Sequence, residues 1–156
     1  MEAATLQARM QQPALVLPEA MQALQALNKA SQKTGLPEQL LELVNLRASQ
    51  INGCSVCVQM HAEALKKAGE SDARIFGVAA WRETPFFTEA ERAALALAEA
   101  ETRIADRPDA VSDEVWDEAA RHYDEAQLAG LVVAIANINV WNRLNAATRQ
   151  PAGQQW

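Results

Sequence analysis

Strong helix formers, separated by residues that begin and end helices, restrict this chain to an all-helical fold. Alanine and leucine dominate, and β-branched residues are sparse outside one late segment. Both residues favour helices, while proline, glycine and capping side chains mark helix boundaries. These boundaries predict seven helices: Pro18 to about Lys33, Pro37 to about Ser49, Cys54 to about Ala68, Ser71 to about Ala80, Thr88 to about Arg103, Ser112 to about Arg121, and Asp124 to about Ala147.

One segment of the last predicted helix is ambiguous by composition. Leu131 to Val140 is rich in residues that also favour strands. Helix formers flank this segment, and its length favours a buried helix over a strand. We therefore expect an all-α, compact bundle of about seven helices, a single domain over residues 1–156 with a loose tail at 149–156.

The charge of the chain argues against nucleic acid as a partner. Its formal net charge is -6, and no basic cluster appears along the sequence, where Lys66 and Lys67 are the densest pair. Binding to phosphate backbones needs a basic surface. We expect no nucleic-acid partner.

The distribution of apolar residues predicts a protein that does not enter membranes. No uncharged apolar run approaches the roughly 18 residues of a spanning helix. The N-terminus lacks the basic start and apolar block of a signal peptide. We therefore expect a cytoplasmic protein, in which two cysteines are more often reactive or metal-binding than structural.

The only two cysteines lie three positions apart, at Cys54 and Cys57, and His61 follows on the same predicted helix. Asn52-Gly53 predicts a turn, so Cys54 lies at a helix N-terminus, where free N–H groups stabilise a thiolate. Residues three or four apart share a helix face, so the two sulfurs can meet and His61 can act as a base towards Cys57. The helix terminus favours Cys54 as the reactive thiol, and the histidine favours Cys57.

A glutamate in an apolar segment is the next candidate. Glu42 is surrounded by leucine and valine in LLELVNL, so we expect it to be buried, and a buried carboxylate needs a partner. His61 is one candidate partner, which would give a carboxylate–imidazole–thiol proton relay. Arg47 is the other, which would give a plain ion pair.

Two other interpretations of the cysteines stay open at this point. The pair could be core packing without a role, or it could hold zinc. Zinc needs four ligands in a structural site; Cys54, Cys57 and His61 supply three, and His122 or Glu42 could complete the set. The absence of a second Cys-x-x-Cys motif makes zinc the weaker hypothesis.

Some predicted helices are apolar on more than one face, notably Leu40 to Leu46 and Leu128 to Val140. A helix that is apolar all round is buried. A seven-helix domain can bury one or two such helices, so the remaining apolar surface predicts a homo-oligomer.

Glu42, the Cys-Ser-Val-Cys motif at residues 54–57 and His61 together resemble the signature of the alkylhydroperoxidase D-like proteins, which belong to the carboxymuconolactone decarboxylase superfamily. The flanking sequence LVNLRASQINGCSVCVQMHAEALKKAGES is also similar, as are WRETPFFTEAERAALALAEA and NVWNRLN. The resemblance covers roughly residues 36–145. It does not extend over the first 35 residues, and Val56 stands where some members carry a histidine between the cysteines.

The resemblance implies an all-α fold and a trimer or hexamer with sites near subunit contacts. It implies a peroxidase that needs no bound cofactor, in which Glu42 and His61 relay protons to activate Cys57, and Cys54 closes the disulfide. The substrate would be a hydroperoxide, and the reductant an external dithiol such as a lipoyl-bearing protein. A general dithiol–disulfide exchanger or redox sensor could use the same residues.

Overall fold

The computed structural model describes residues 3–154, which form eight α-helices and one 3₁₀ helix and contain no strand. The elements are α1 (Pro13–Val16), α2 (Pro18–Gln32), α3 (Glu38–Asn52), α4 (Ser55–Lys67), α5 (Asp72–Gly77), the 3₁₀ helix (Val78–Glu83), α6 (Glu89–Thr102), α7 (Asp113–His122) and α8 (Glu125–Thr148).

The all-α prediction is confirmed, and each of the seven predicted helices is present. The boundary signals act as expected: the Thr88 and Asp124 side chains accept hydrogen bonds from backbone N–H groups in the first turns of α6 and α8. Two details differ. The four-residue helix α1 was not predicted, because it is too short to show a sequence period. The fourth predicted helix changes to 3₁₀ geometry after Gly77, and the backbone angles of Ala80 are not helical.

Helix α3 lies at the centre of the fold and packs against α4, α6 and α8. Leu40, Leu41 and Val44 face one apolar cluster with α6 and α8, whereas Leu43 and Leu46 face a second cluster with α4 and α5. Burial on both sides explains why this segment lacks a polar stripe. It also places the α3 residues next to α4, where the cysteines lie.

Helix α8 is the longest helix and contains the segment that could have been a strand, so the prediction of a buried helix is confirmed. Four of its asparagines are buried among apolar neighbours: Asn137, Asn139, Asn142 and Asn145. Buried amides require hydrogen-bond partners. All four donate to other helices: Asn137 to the Leu24 carbonyl in α2, Asn139 to Thr102 in α6, Asn142 to Ser49 in α3, and Asn145 to the sulfur of Cys57 in α4.

The expectation of a loose tail is wrong for the part that the structure describes. Gln150 is 5% exposed and donates to the Met10 carbonyl. The backbone N–H groups of Ala152 and Gly153 donate to the side chains of Ser55 and Gln59 in α4, at 3.1 and 2.6 Å. These hydrogen bonds hold the tail across the start of α4. Because their donors are backbone N–H groups, no side-chain pattern in the sequence predicts them. Trp156 lies outside the described residues.

Within residues 3–154, none of the helices combines the length and the hydrophobicity that crossing a membrane requires.

Candidate active site

The two cysteines lie at the N-terminus of α4 and form a disulfide. Gly53 adopts a left-handed conformation (φ 67°) that ends α3, which only glycine adopts without strain. The chain then turns so that Cys54 is the N-cap of α4 and Cys57 lies in its first turn, with 5.3 Å between their Cα atoms. Each cysteine is only 3% exposed. Both sulfurs therefore lie near the positive end of α4 and largely away from bulk water.

Glu42 and His61 are hydrogen-bonded to each other across the contact between α3 and α4. The distance from His61 Nδ1 to Glu42 Oε2 is 2.6 Å, and the side chains are 18% and 19% exposed respectively. Glu42 is thus half-buried rather than fully buried. The alternative that Arg47 neutralises Glu42 is wrong, because Arg47 Nε lies 2.8 Å from Glu99 Oε1.

A cavity of about 310 Å³ is shared by this pair and one of the two cysteines. Glu42, His61 and Cys57 all line it. Its remaining walls combine apolar side chains of α2, α4 and α8 with amides: Met21, Leu24, Gln25, Asn28, Asn45, Met60, Ala134, Asn137, Ile138, Trp141 and Asn145. The cavity can hold a small organic molecule with its reactive end at Cys57.

Cys54 does not line that cavity. It faces a separate space of about 500 Å³, bordered by residues 5–7 of the N-terminal segment and by Arg149, Gln150 and Pro151 of the tail. Asn145 borders both spaces. The disulfide therefore separates two voids, with Cys57 facing one and Cys54 facing the other.

Asn145 is a site residue that sequence reasoning did not identify. Its Nδ2 donates to Cys57 Sγ at 3.3 Å, and its Oδ1 accepts from Gln12 Nε2 at 3.2 Å. A donor directed at sulfur favours the thiolate over the thiol. The signal that could have found Asn145 is its position in an apolar helix, since a polar residue there must find a partner.

A zinc site has no support from the described part of the chain, where no three His, Cys, Asp or Glu side chains are arranged to hold a metal ion. His122, a possible fourth ligand, is exposed on α7, with its Nε2 3.2 Å from Glu118 Oε1. Glu42 is engaged by His61.

A family model described as the carboxymuconolactone decarboxylase family matches residues 18–100. This span contains Glu42, Cys54, Cys57 and His61. Over 132 residues, the chain is 37% identical to the uncharacterised protein YdfG of Bacillus subtilis (strain 168), which covers 85% of this chain and 88% of YdfG.

Two solved structures are similar in fold. A protein of unknown function from Agrobacterium tumefaciens, described as a candidate antioxidant defence protein AhpD, superposes with a TM-score of 0.87 at 35% identity, over 96% of this chain and 100% of that one. A variant of the debrominase Bmp8 in complex with 2,3,4-tribromopyrrole gives a TM-score of 0.74 at 26% identity, over 86% of this chain and 71% of that one. With the family model and the relatives in agreement, the chain belongs to the carboxymuconolactone decarboxylase family and is an alkylhydroperoxidase D-like member of it.

Proposed function

We propose that this protein is a thiol-dependent peroxidase that reduces hydroperoxides through Cys57 and Cys54. The observation that carries the proposal is the shared cavity, which Cys57 lines together with the hydrogen-bonded Glu42–His61 pair. A nucleophilic thiol, a histidine base and a carboxylate that orients the histidine form the arrangement that activates cysteines in many enzymes.

The reaction begins from the dithiol. Glu42 accepts the Nδ1–H of His61, which leaves Nε2 free to take the proton of the Cys57 thiol. The thiolate attacks the outer oxygen of the hydroperoxide, so that an S–O bond forms and the O–O bond breaks. The departing alkoxide takes a proton from His61 and leaves as an alcohol, and Cys57 becomes a sulfenic acid.

Cys54 completes the turnover. Its thiolate attacks the sulfur of the Cys57 sulfenic acid, an S–S bond forms, and the oxygen leaves as water. The resulting disulfide is the state in which the two cysteines are found here. Two exchange steps with an external dithiol, for which we propose a lipoyl-bearing protein, restore both thiols. Sulfur carries both electrons, so this cycle needs no further redox group.

The positions of the sulfurs support a small-molecule oxidant over general disulfide exchange. Both cysteines are 3% exposed, and the void beside Cys57 is about 310 Å³. A bulky protein disulfide does not fit such a space, whereas an organic hydroperoxide does. We also propose that the protein works as a homo-oligomer, a trimer or hexamer.

The test is peroxide consumption with dihydrolipoamide as the reductant. We expect turnover by the wild-type protein and none by Cys57→Ser, while Cys54→Ser should react once and stop as a sulfenic acid that dimedone traps. Absence of turnover in the wild type, or equal turnover in Cys57→Ser, would rule the peroxidase out. Reduction of insulin disulfides without accelerated peroxide reaction would favour the general exchanger.

The apolar cavity wall favours one second candidate, the reductive removal of halide from a small ring. Met60, Ile138 and Trp141 line the same cavity as Cys57, and a variant of the similar debrominase Bmp8 was solved with a tribromopyrrole. In this reaction the dithiol would supply two electrons, a C–H bond would replace C–Br, and bromide and the disulfide would be the products. Release of bromide from 2,3,4-tribromopyrrole, compared with peroxide turnover under the same conditions, separates the two candidates.

A further inference from the structure

A second and larger cleft, of about 940 Å³, lies where α3, the 3₁₀ helix, α6, α8 and the segment after α6 meet. Five arginines line it: Arg47, Arg82, Arg103, Arg107 and Arg143. We call this space the arginine cleft. The sequence shows no basic cluster because these residues are far apart along the chain, and the fold brings them together.

The carboxylates of the cleft do not balance this charge. Glu99 and Asp106 are the only acidic side chains among the lining residues in the described part of the chain. Five guanidinium groups against two carboxylates leave a local charge of about +3. The protein as a whole carries a formal net charge of -6. The cleft is therefore a positive concavity on an acidic molecule.

Glu99 is fully engaged within the cleft. It accepts from Arg47 Nε and Trp81 Nε1 through Oε1, at 2.8 Å each, and from Arg82 through Oε2. Burial alone would raise the pKa of Glu99, but the hydrogen bonds from Trp81, Arg82 and Arg47 outweigh it and hold the pKa below its ordinary value. The single carboxylate of Glu99 thus forms ion pairs with two arginines, Arg47 and Arg82.

Arg107 and Arg143 are the unbalanced members. Both are exposed, and neither forms an ion pair within residues 3–154. Arg143 Nη1 donates to the Asn139 carbonyl at 3.4 Å, which holds the side chain near the surface of α8. The carboxylates nearest to Arg107 along the chain are Asp106, which pairs with Arg103 at 2.8 Å, and Asp109, which does not line the cleft. Both guanidinium groups therefore remain available to a ligand.

We propose that the arginine cleft binds a compact polyanion that carries phosphate or carboxylate groups. Guanidinium groups bind both kinds of oxyanion through paired hydrogen bonds, and a multivalent anion would relieve the repulsion among like charges. The acidic surface outside the cleft would repel a long polyanion such as a nucleic acid. A small molecule with two or three negative charges matches both the local charge and the concave shape.

Isothermal titration calorimetry with pyrophosphate and with citrate, each at matched ionic strength, tests the proposal and separates the two chemical classes. We expect saturable binding of at least one of them, at one site per chain. Because each charged hydrogen bond contributes substantially, Arg107→Gln/Arg143→Gln should bind at least about tenfold more weakly. The control Lys67→Gln/Arg121→Gln makes the same charge change at exposed positions outside the cleft and should leave the affinity within about twofold.

Three results would overturn the proposal. One is the absence of saturation with both probes at millimolar concentration. Another is equal weakening by the two double variants, which would indicate a diffuse charge effect. The third comes from sedimentation without any added anion: a changed oligomeric state in Arg107→Gln/Arg143→Gln alone would assign these arginines to a contact between subunits. Circular dichroism checks that each variant is folded.

Discussion

His61 Nδ1 and Glu42 Oε2 lie 2.6 Å apart, across the contact between α4 and α3. The carboxylate fixes the plane of the imidazole and occupies one ring nitrogen. The other nitrogen, Nε2, remains free to exchange a proton in the cavity that both residues share with Cys57. The reactivity of Cys57 should therefore depend on a residue that does not touch the sulfur itself.

The first prediction concerns Glu42. Glu42→Gln keeps the shape of the side chain but removes the charge that orients and supports the His61 imidazole. We expect peroxide turnover to fall by about 10²–10⁴, the usual contribution of general acid–base catalysis. Stopped-flow measurement of the first peroxide reaction, with the alkylation rate of Cys57 as a function of pH, measures the effect. The control Glu38→Gln alters an exposed glutamate one helical turn earlier on α3 and should behave like the wild type. Matching rates in the two variants would contradict the relay.

The second prediction concerns Asn145. Asn145→Ala removes the N–H that lies 3.3 Å from Cys57 Sγ, so the thiolate should be less stable. We expect alkylation of Cys57 at neutral pH to slow by about tenfold, as for loss of one hydrogen bond to a charged group. Asn28→Ala, an exposed amide on the wall of the same cavity, is the matched control. An alkylation rate unchanged by Asn145→Ala would show that this hydrogen bond does not tune the sulfur.

The sequence was sufficient to bring the Glu42–His61 pair and the cysteines together as a hypothesis, because helix spacing constrains residues within α4 and a carboxylate among leucines needs a partner. The physical pattern of the residues left His61 and Arg47 both open, since the choice depends on how α3 is rotated towards α4 and α6, and only the family resemblance favoured His61. Asn145 lies 88 positions from Cys57. Local patterns carry no information about a contact at that distance.

The third prediction concerns the tail. Removal of residues 150–156 takes away Gln150 and Pro151, which border the space that Cys54 faces. We expect dithiothreitol to reduce the disulfide several-fold faster, because access of the attacking thiolate limits exchange. The rate is measured as the appearance of protein thiols, followed with a chromogenic thiol reagent. Gln59→Ala removes one bond to the tail, at Gly153, and should give a smaller effect of the same sign. A truncated protein that is reduced no faster would show that the tail does not shield Cys54.

The fourth prediction concerns Gly130 in α8. A Cβ at this position would meet the side chain of Thr34, with Cγ2 at 3.0 Å. Alanine favours helices over glycine, but overpacking against Thr34 should dominate, so that Gly130→Ala lowers the free energy of unfolding by about 1–3 kcal/mol. Urea denaturation measures the loss. In a Thr34→Ala background the same change should cost much less, and an equal cost in both backgrounds would contradict the contact.

The fifth prediction concerns pH and Glu101. Burial raises the pKa of Glu101 from 4.5 to about 8, and its Oε2 has no hydrogen-bond partner in the described structure. The folded protein therefore holds a proton that the unfolded chain releases above its ordinary pKa. Stability from this group is present at low pH and is lost as pH rises from 4.5 towards 8. We expect a loss of roughly 2 kcal/mol, smaller than the full shift would give, because the side chain keeps partial contact with solvent.

Urea denaturation at several pH values tests this assignment. Glu101→Gln should remove most of the decline in stability between pH 5 and pH 8, and Glu114→Gln, an exposed carboxylate on α7, should leave it in place. If Glu101→Gln shows the same decline as the wild type, another group is responsible.

The fold itself followed from helix propensity and boundary signals, which act over a few residues and need no tertiary information. The tail and the arginine cleft were missed for one reason, which is that contacts between distant segments form them. The tail is held by backbone N–H groups of Ala152 and Gly153 that bond to α4. The arginine cleft collects side chains from four parts of the chain, although Lys66 and Lys67 are the densest basic pair in the sequence.

The asparagines of α8 have a consequence for the geometry of the whole molecule. A helix with an apolar surface all round could rotate about its own axis among apolar neighbours at little cost in free energy. Asn139, Asn142 and Asn145 instead donate hydrogen bonds to side chains of α6, α3 and α4, respectively. A slip by one residue would rotate α8 by about 100° and break all three bonds at once. These hydrogen bonds thus fix the rotation of α8 about its own axis, and they keep the amide nitrogen of Asn145 directed at the sulfur of Cys57.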